Sequence, residues 1–254
     1  MTRSKPSFLE SASSKVPEAT VFFWITKILT TGMGETTSDF LAHLVNPIIA
    51  VIIAGILLMI TLGIQFSTRR HVPWMYWLNV VMVSVFGTMA ADVLHVGLGI
   101  PYIISTLFFT FVLIIIFSWW YREEHTLSIH SITNPRREIF YWTTILATFA
   151  LGTAVGDMTA TTLHLGYLTS GLLFTALILL PMIAYLAFDV SEVATFWFAY
   201  ILTRPLGASF ADWMGVSRIR GGLGIGTGWV SLVLFIMIVG CVGYLSIKKS
   251  TRFT

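Results

Sequence analysis

One motif recurs four times along this chain: an aromatic residue and a Trp, a Gly ten residues after the Trp, and an Asp five residues after that. The copies are Phe23-Trp24…Gly34…Asp39, Tyr76-Trp77…Gly87…Asp92, Tyr141-Trp142…Gly152…Asp157 and Phe196-Trp197…Gly207…Asp212. The residue before each Asp is small: Ser38, Ala91, Gly156 and Ala211. Each copy lies in an apolar stretch of at least the ~20 residues that cross a bilayer. The chain therefore sets a carboxylate at one equivalent depth four times, and carboxylates inside a membrane are costly and mark cation or proton paths.

Of 254 residues, 56% are hydrophobic and 11% charged, which excludes an ordinary soluble domain. The single cysteine, Cys241, excludes an intrachain disulfide or thiolate cluster. The basic residues are scattered beside apolar spans, so the positive balance does not point to nucleic acid. Residues 1–18 are polar and Ser-rich and lack the apolar core of a signal peptide, so no cleaved leader is expected.

The expected fold is all-α: a polytopic membrane protein with eight spans at 19–43, 47–66, 73–96, 101–121, 138–163, 167–187, 192–214 and 225–247. These pair into four hairpins, 19–66, 73–121, 138–187 and 192–247, each joining one helix marked by the motif to one plain aliphatic helix. The polar stretch 122–137 fills the longest gap between motif Asp residues and is expected to be a cytoplasmic linker. It divides the chain into two four-helix halves, 19–121 and 138–247, flanked by the polar 1–18 and the basic tail 248–254. Two spans per repeat make the marked helices parallel, related by an axis along the membrane normal.

Arg3, Lys5, Lys15, Arg69, Arg70, Arg122, Arg136, Arg137, Lys248, Lys249 and Arg252 fall on the side where marked helices begin, against Arg218 and Arg220 on the other. That asymmetry places both termini in the cytoplasm. The Trp set then reads as an interfacial belt, with each Asp ~22 Å further along its helix, in the outer part of the hydrocarbon layer.

Gly followed four positions later by a small residue lets membrane helices approach closely. The adjoining Asp is thus expected to face other marked helices, so that four carboxylates converge while plain helices face lipid. Four positions before the Asp stand Glu35, Thr88, Thr153 and Ala208. Glu35 and Asp39 share one face of the first helix, and two such acids are not both charged cheaply in low dielectric. Glu35, Asp39, Asp92 and Asp157 are the expected metal ligands, joined at the ion site by Asp212, Thr88, Thr153, His43 and His95. Lys27 is expected to neutralise Glu35. Arg204 is expected to neutralise Asp212 or an acid on a neighbouring helix, with Arg204-Pro205 kinking its own. The competing structural reading makes each Asp a helix cap or a local partner, with Asp212 beside Arg218 and Arg220 the foremost case.

Five acids against two bases within the spans favour a cation. Oxygen ligands suit Mn²⁺, Mg²⁺ or Ca²⁺, and Mn²⁺ accepts mixed Asp/His coordination most readily. The expected function is a transporter of a divalent metal such as Mn²⁺, in the sense of an exporter, and not an enzyme. No cofactor is expected beyond the transported cation, and the expected partners are the lipid bilayer and that cation or a proton, with an oligomer left open. Two alternatives stand beside it. One is a proton-coupled carrier of a small organic solute. The other is an intramembrane zinc hydrolase using His43, His95 and His164, against which stands the lack of any HExxH spacing.

The stretch Lys15-Val16-Pro17-Glu18-Ala19-Thr20, continuing through Phe23-Trp24, Lys27, Gly34-Glu35 and Asp39-Phe40, resembles a group of bacterial integral membrane proteins described as uncharacterised membrane-anchored proteins. The similarity continues into the third repeat at Gly152-Thr153 and Gly156-Asp157. The resemblance implies a bacterial cytoplasmic membrane and transfers no functional residues.

Overall fold

The computed structural model describes residues 14–68, 70–188 and 190–250. Arg3, Lys5, Arg69 and Arg252 of the charge asymmetry lie outside the described residues, as do 1–13 of the polar start and 251–254 of the tail. The described chain is all-helical, with α1 (Val21–Leu44), α2 (Pro47–Ser67), α3 (Pro73–Asp92), α4 (Tyr102–Glu124), α5 (Pro135–Asp157), α6 (Gly166–Ala187), α7 (Glu192–Gly215) and α8 (Thr227–Ser250). Single π turns, Val93–Gly97 and Met158–Thr162, extend α3 and α5.

Local chemistry sets the starts. The side chains of Thr20, Asn46, Asn134 and Ser191 accept from backbone N–H groups of the first turns of α1, α2, α5 and α7. Pro47 and Pro135 sit in first turns, where their missing N–H costs nothing. Six helices are long and apolar enough to cross a membrane by length and composition: α2, α4, α6, α8, and α3 and α5 with their π turns. The chain is a multi-pass membrane protein. The other two, α1 and α7, carry Lys27, Glu35 and Asp39, and Glu192, Arg204 and Asp212. Plain helices expose rows such as Ile52, Ile56 and Ile60 of α2 and Leu107, Phe111 and Ile115 of α4, as lipid-facing surfaces do.

The marked helices α1, α3, α5 and α7 form a ring, each packed on the next and α7 on α1. Equivalent levels meet: Tyr76 and Tyr141 hydroxyls lie 2.6 Å apart at the amino-terminal end, and Ser38 Oγ reaches Asp92 at 3.5 Å toward the other. The four helices therefore run parallel, as the two-span repeat requires. Close approach has one rule around the ring. Gly34 stands against Ser84, Gly87 against Phe149, Gly152 against Arg204 and Gly207 against Thr31. Each motif Gly faces the residue eight positions before the Asp of the next marked helix, and the last pair returns to α1. The missing Cβ is what admits that side chain.

Hairpins of the sequence are not the units of packing. α2 lies on α3, α4 on α5, α6 on α7 and α8 on α1. In the first of these, Ala50 and Ala54 at i, i+4 spacing bury themselves against Val85 and Met89. Contacts also run between the two expected halves: α3 packs on α5, and α1 on both α7 and α8. The linker itself is built in: Ile129 and Ile132 are buried, while Arg136 pairs with Glu123 and Arg137 with Glu124.

At the amino-terminal end of the ring, Phe23, Tyr76, Tyr141 and Phe196 are buried, and each pairs with its adjacent Trp at centroid distances of 5.2 to 5.4 Å. Trp77, Trp142 and Trp197 are only 2%, 3% and 4% exposed, so these three form an aromatic plug and not the expected interfacial belt. Edge-to-face aromatic pairs of this kind contribute ~0.5–1.5 kcal/mol each beyond the area they bury. A strap follows: Lys15 N–H donates to Ile132 O at 3.0 Å, its Nζ pairs with buried Glu138 at 2.6 Å, and Val16 joins the aromatic core.

Candidate functional site

Three layers of side chains lie between the aromatic plug and the far end of the ring. In the first, Lys27 of α1 is 1% exposed, with Nζ 3.8 Å from the Phe149 ring centroid and 4.2 Å from that of Tyr200. Its Nζ has no hydrogen-bond partner among the described residues, and aromatic faces of the kind that attract a cation surround it. The expected Lys27–Glu35 pair does not form. Eight residues of helix separate the two by ~12 Å along the axis, beyond the reach of either side chain.

The second layer is centred on Arg204 of α7. Its Nη2 donates to the Glu35 carboxylate, to Thr88 Oγ1 and, at 2.8 Å, to Thr153 Oγ1, while Nη1 reaches Thr31 O at 3.2 Å. One guanidinium thus binds the residue four positions before the Asp on each of the other three marked helices. Its stem fits only because Gly152 has no side chain. The hydroxyl protons of Thr88 and Thr153 are committed to Ser84 O at 2.8 Å and Phe149 O at 3.1 Å, so both present lone pairs inward. The acid on a neighbouring helix that Arg204 neutralises is Glu35. Asp212 has no ion pair within 4.0 Å among the described residues, whether with Arg204, Arg218 or Arg220. α7 runs through Pro205 as one helix.

The third layer holds the motif carboxylates. One oxygen each from Glu35, Asp157 and Asp212 lies within 4.8 Å of the other two. Glu35 and Asp212 are buried and Asp157 half-buried, and Asp212 Oδ1 is enclosed with no hydrogen-bond partner among the described residues. Asp39 and Asp92 are half-buried and stand outside this trio. Of the four acids expected as ligands, Glu35, Asp39, Asp92 and Asp157, the structure brings Glu35 and Asp157 together, with Asp212 beside them. Glu35 has one methylene more than Asp and starts a turn deeper than Asp39, which lets it reach the axis. Asp92 and Asp157 each end an α-helix where a π turn begins, a local irregularity common at functional positions.

No histidine joins the cluster among the described residues. His43 is exposed, with Nδ1 2.6 Å from Asp39 O of its own helix. His95 is buried against α4, its Nδ1 3.2 Å from Ser105 Oγ and its ring 4.3 Å from that of Tyr102. His164 is exposed in a left-handed turn. These positions do not assemble the three-histidine zinc arrangement.

Three further residues lie near the carboxylates, of which Tyr102 and Tyr167 had no place in the sequence reading. Tyr102 interacts electrostatically with Asp92 and Asp157, and Tyr167 with Asp157 and Asp212. Arg220 donates to Tyr167 OH at 3.3 Å and feels the charges of Asp39 and Asp212. A signal existed for the two tyrosines: each stands within the first residues of a plain helix, in consecutive repeats.

No curated protein and no solved structure matches this chain. A family model does, in four consecutive copies at 22–71, 75–126, 140–191 and 195–251, described as a repeat of unknown function, DUF347. Each copy opens near the aromatic-Trp pair and takes in the Gly, the Asp and the plain helix that follows. The chain belongs to that family, as a tandem of four of its repeats.

Proposed function

We propose that this protein is a membrane carrier for a hard divalent cation, with Mn²⁺ the first to test, moved through the carboxylate site formed by Glu35, Asp157 and Asp212. The observation that carries this reading is the meeting of three carboxylates from three repeats, one of which, Asp212, has an oxygen, Oδ1, without a hydrogen-bond partner among the described residues. Three oxygens all within 4.8 Å of one another are close enough for one ion to bridge once they draw in slightly, since hard cations hold oxygens at ~2.0–2.6 Å. An all-oxygen donor set selects among Mn²⁺, Mg²⁺ and Ca²⁺ and against softer metals. Three carboxylates beside one guanidinium leave two negative charges when ionised, the complement of a divalent cation. In this reading all eight helices cross a bacterial inner membrane, with both termini cytoplasmic. The half-buried Asp39 and Asp92 form an outward rim, and the aromatic plug closes the cytoplasmic side.

The test is Mn²⁺ flux into proteoliposomes for wild type, Glu35→Gln, Asp157→Asn and Asp212→Asn, with Mg²⁺ and Ca²⁺ in parallel. Each substitution is expected to lower flux at least tenfold while the protein elutes as a monodisperse peak. Flux that survives all three changes overturns the site.

A further inference from the structure

We propose that Arg204 is a tethered cation which competes with the transported ion for Glu35, so that an ion enters the carboxylate site only as the guanidinium withdraws. This rests on the reading of the carboxylates as a cation site.

Glu35 is the one residue common to both arrangements. It holds the guanidinium of Arg204, and it supplies an oxygen to the trio with Asp157 and Asp212. The surroundings of the guanidinium are acceptors throughout: a carboxylate, two threonine lone pairs and a backbone carbonyl. A socket of that kind fits any cation, and Arg204 fills it from within. The grip is incomplete, because Arg204 Nε is buried without a partner among the described residues. An alternative seat lies close by, since the guanidinium carbon is 5.6 Å from the Phe149 ring centroid, inside cation–π range.

Lys27 makes the competition reversible. Its Nζ sits over the same Phe149 ring with no carboxylate partner among the described residues. Whenever it carries its proton it repels Arg204 from the plug side and so drives the guanidinium back toward Glu35. An arriving divalent ion displaces Arg204 against that repulsion, and the returning guanidinium helps to expel the ion. An empty carrier is spared a cluster of bare carboxylates in low dielectric.

Removing the tethered charge should therefore tighten ion binding and slow turnover together, a pair of effects that mere loss of packing does not produce. The experiment measures Mn²⁺ binding to purified full-length protein by calorimetry and Mn²⁺ flux in proteoliposomes, for wild type, Arg204→Gln and Arg204→Lys. Arg204→Gln is expected to bind Mn²⁺ at least tenfold more tightly, with a lower KM and a lower maximal rate. Arg204→Lys keeps the charge but loses the bidentate reach, and is expected to fall between the two; it decides the matter if Arg204→Gln does not fold. Wild-type binding of Mn²⁺ with no gain in affinity in the folded variants overturns the tethered-cation inference alone. Wild-type protein that neither binds nor moves Mn²⁺, Mg²⁺ or Ca²⁺ overturns the site reading, and this inference with it.

Discussion

Gly207 has no Cβ because the space is already taken: a methyl there would run into the Thr31 side chain and come within 2.8 Å of Ile28 O. Backbone does not yield as a flexible side chain does. Gly207→Ala should lower stability by ~1–3 kcal/mol, the usual cost of overpacking, seen as a lower midpoint in thermal unfolding in detergent. Gly63 of α2 is the control, with nothing within 4 Å of its missing Cβ, and Gly63→Ala should leave the midpoint unchanged or higher. Equal effects at the two positions would mean that the ring contact is not what the motif glycine serves. At this scale the sequence was legible where identity repeats. The Gly of four copies declared a shared packing role, and Glu35, Thr88 and Thr153 declared a shared level. Partners were not legible. That Arg204 meets Glu35 depends on α7 lying beside α1, which no local pattern states. Lys27 stood on the same stripe as Glu35, yet a helix carries two residues eight apart out of reach of each other.

Elements were legible nearly to the residue because lipid admits only uninterrupted apolar helices between polar turns. Spans expected at 47–66 and 167–187 became Pro47–Ser67 and Gly166–Ala187. α4 runs past its expected end to Glu124, where Glu123 and Glu124 find Arg136 and Arg137 across the linker. The amino-terminal strap was not legible, since a polar Ser-rich stretch announces no contact. It holds a buried pair: Lys15 Nζ lies 2.6 Å from Glu138 Oε2, and Gln65 Nε2 lies 2.9 Å from Oε1. Lys15→Met leaves Glu138 as a buried charge with a single amide for company, and removing one partner of such a pair costs ~3–5 kcal/mol. Adding Glu138→Gln takes the stranded charge away, so the double variant should regain most of that loss. Thermal unfolding of the single and double variants at neutral pH checks both statements. A Lys15→Met protein as stable as wild type would show that the strap is not held by this pair.

For the whole molecule, the decisive contacts are those that close the ring between the ends of the chain. A marked helix has a neighbour on each side only if α7 and α8 come back to α1, and Gly207 against Thr31 repeats there the contact made at the other three junctions. Repeats at near-equal spacing announce a fourfold arrangement, but an open row and a closed ring share one sequence pattern. Turn lengths do not tell which neighbour a plain helix leans on. A polar contact across the closure makes it testable: Ser231 Oγ of α8 donates to Thr36 Oγ1 of α1 at 2.8 Å. Cysteines at both positions, with Cys241→Ser to remove the native thiol, should form a disulfide on mild oxidation in membranes. With a protease site inserted in the linker 122–137, cleaved protein should migrate as one band without reductant and as two with it. Two bands under both conditions would mean that α8 stays with its own hairpin partner, and the trio of Glu35, Asp157 and Asp212, drawn from both ends of the chain, would lose the closure that assembles it.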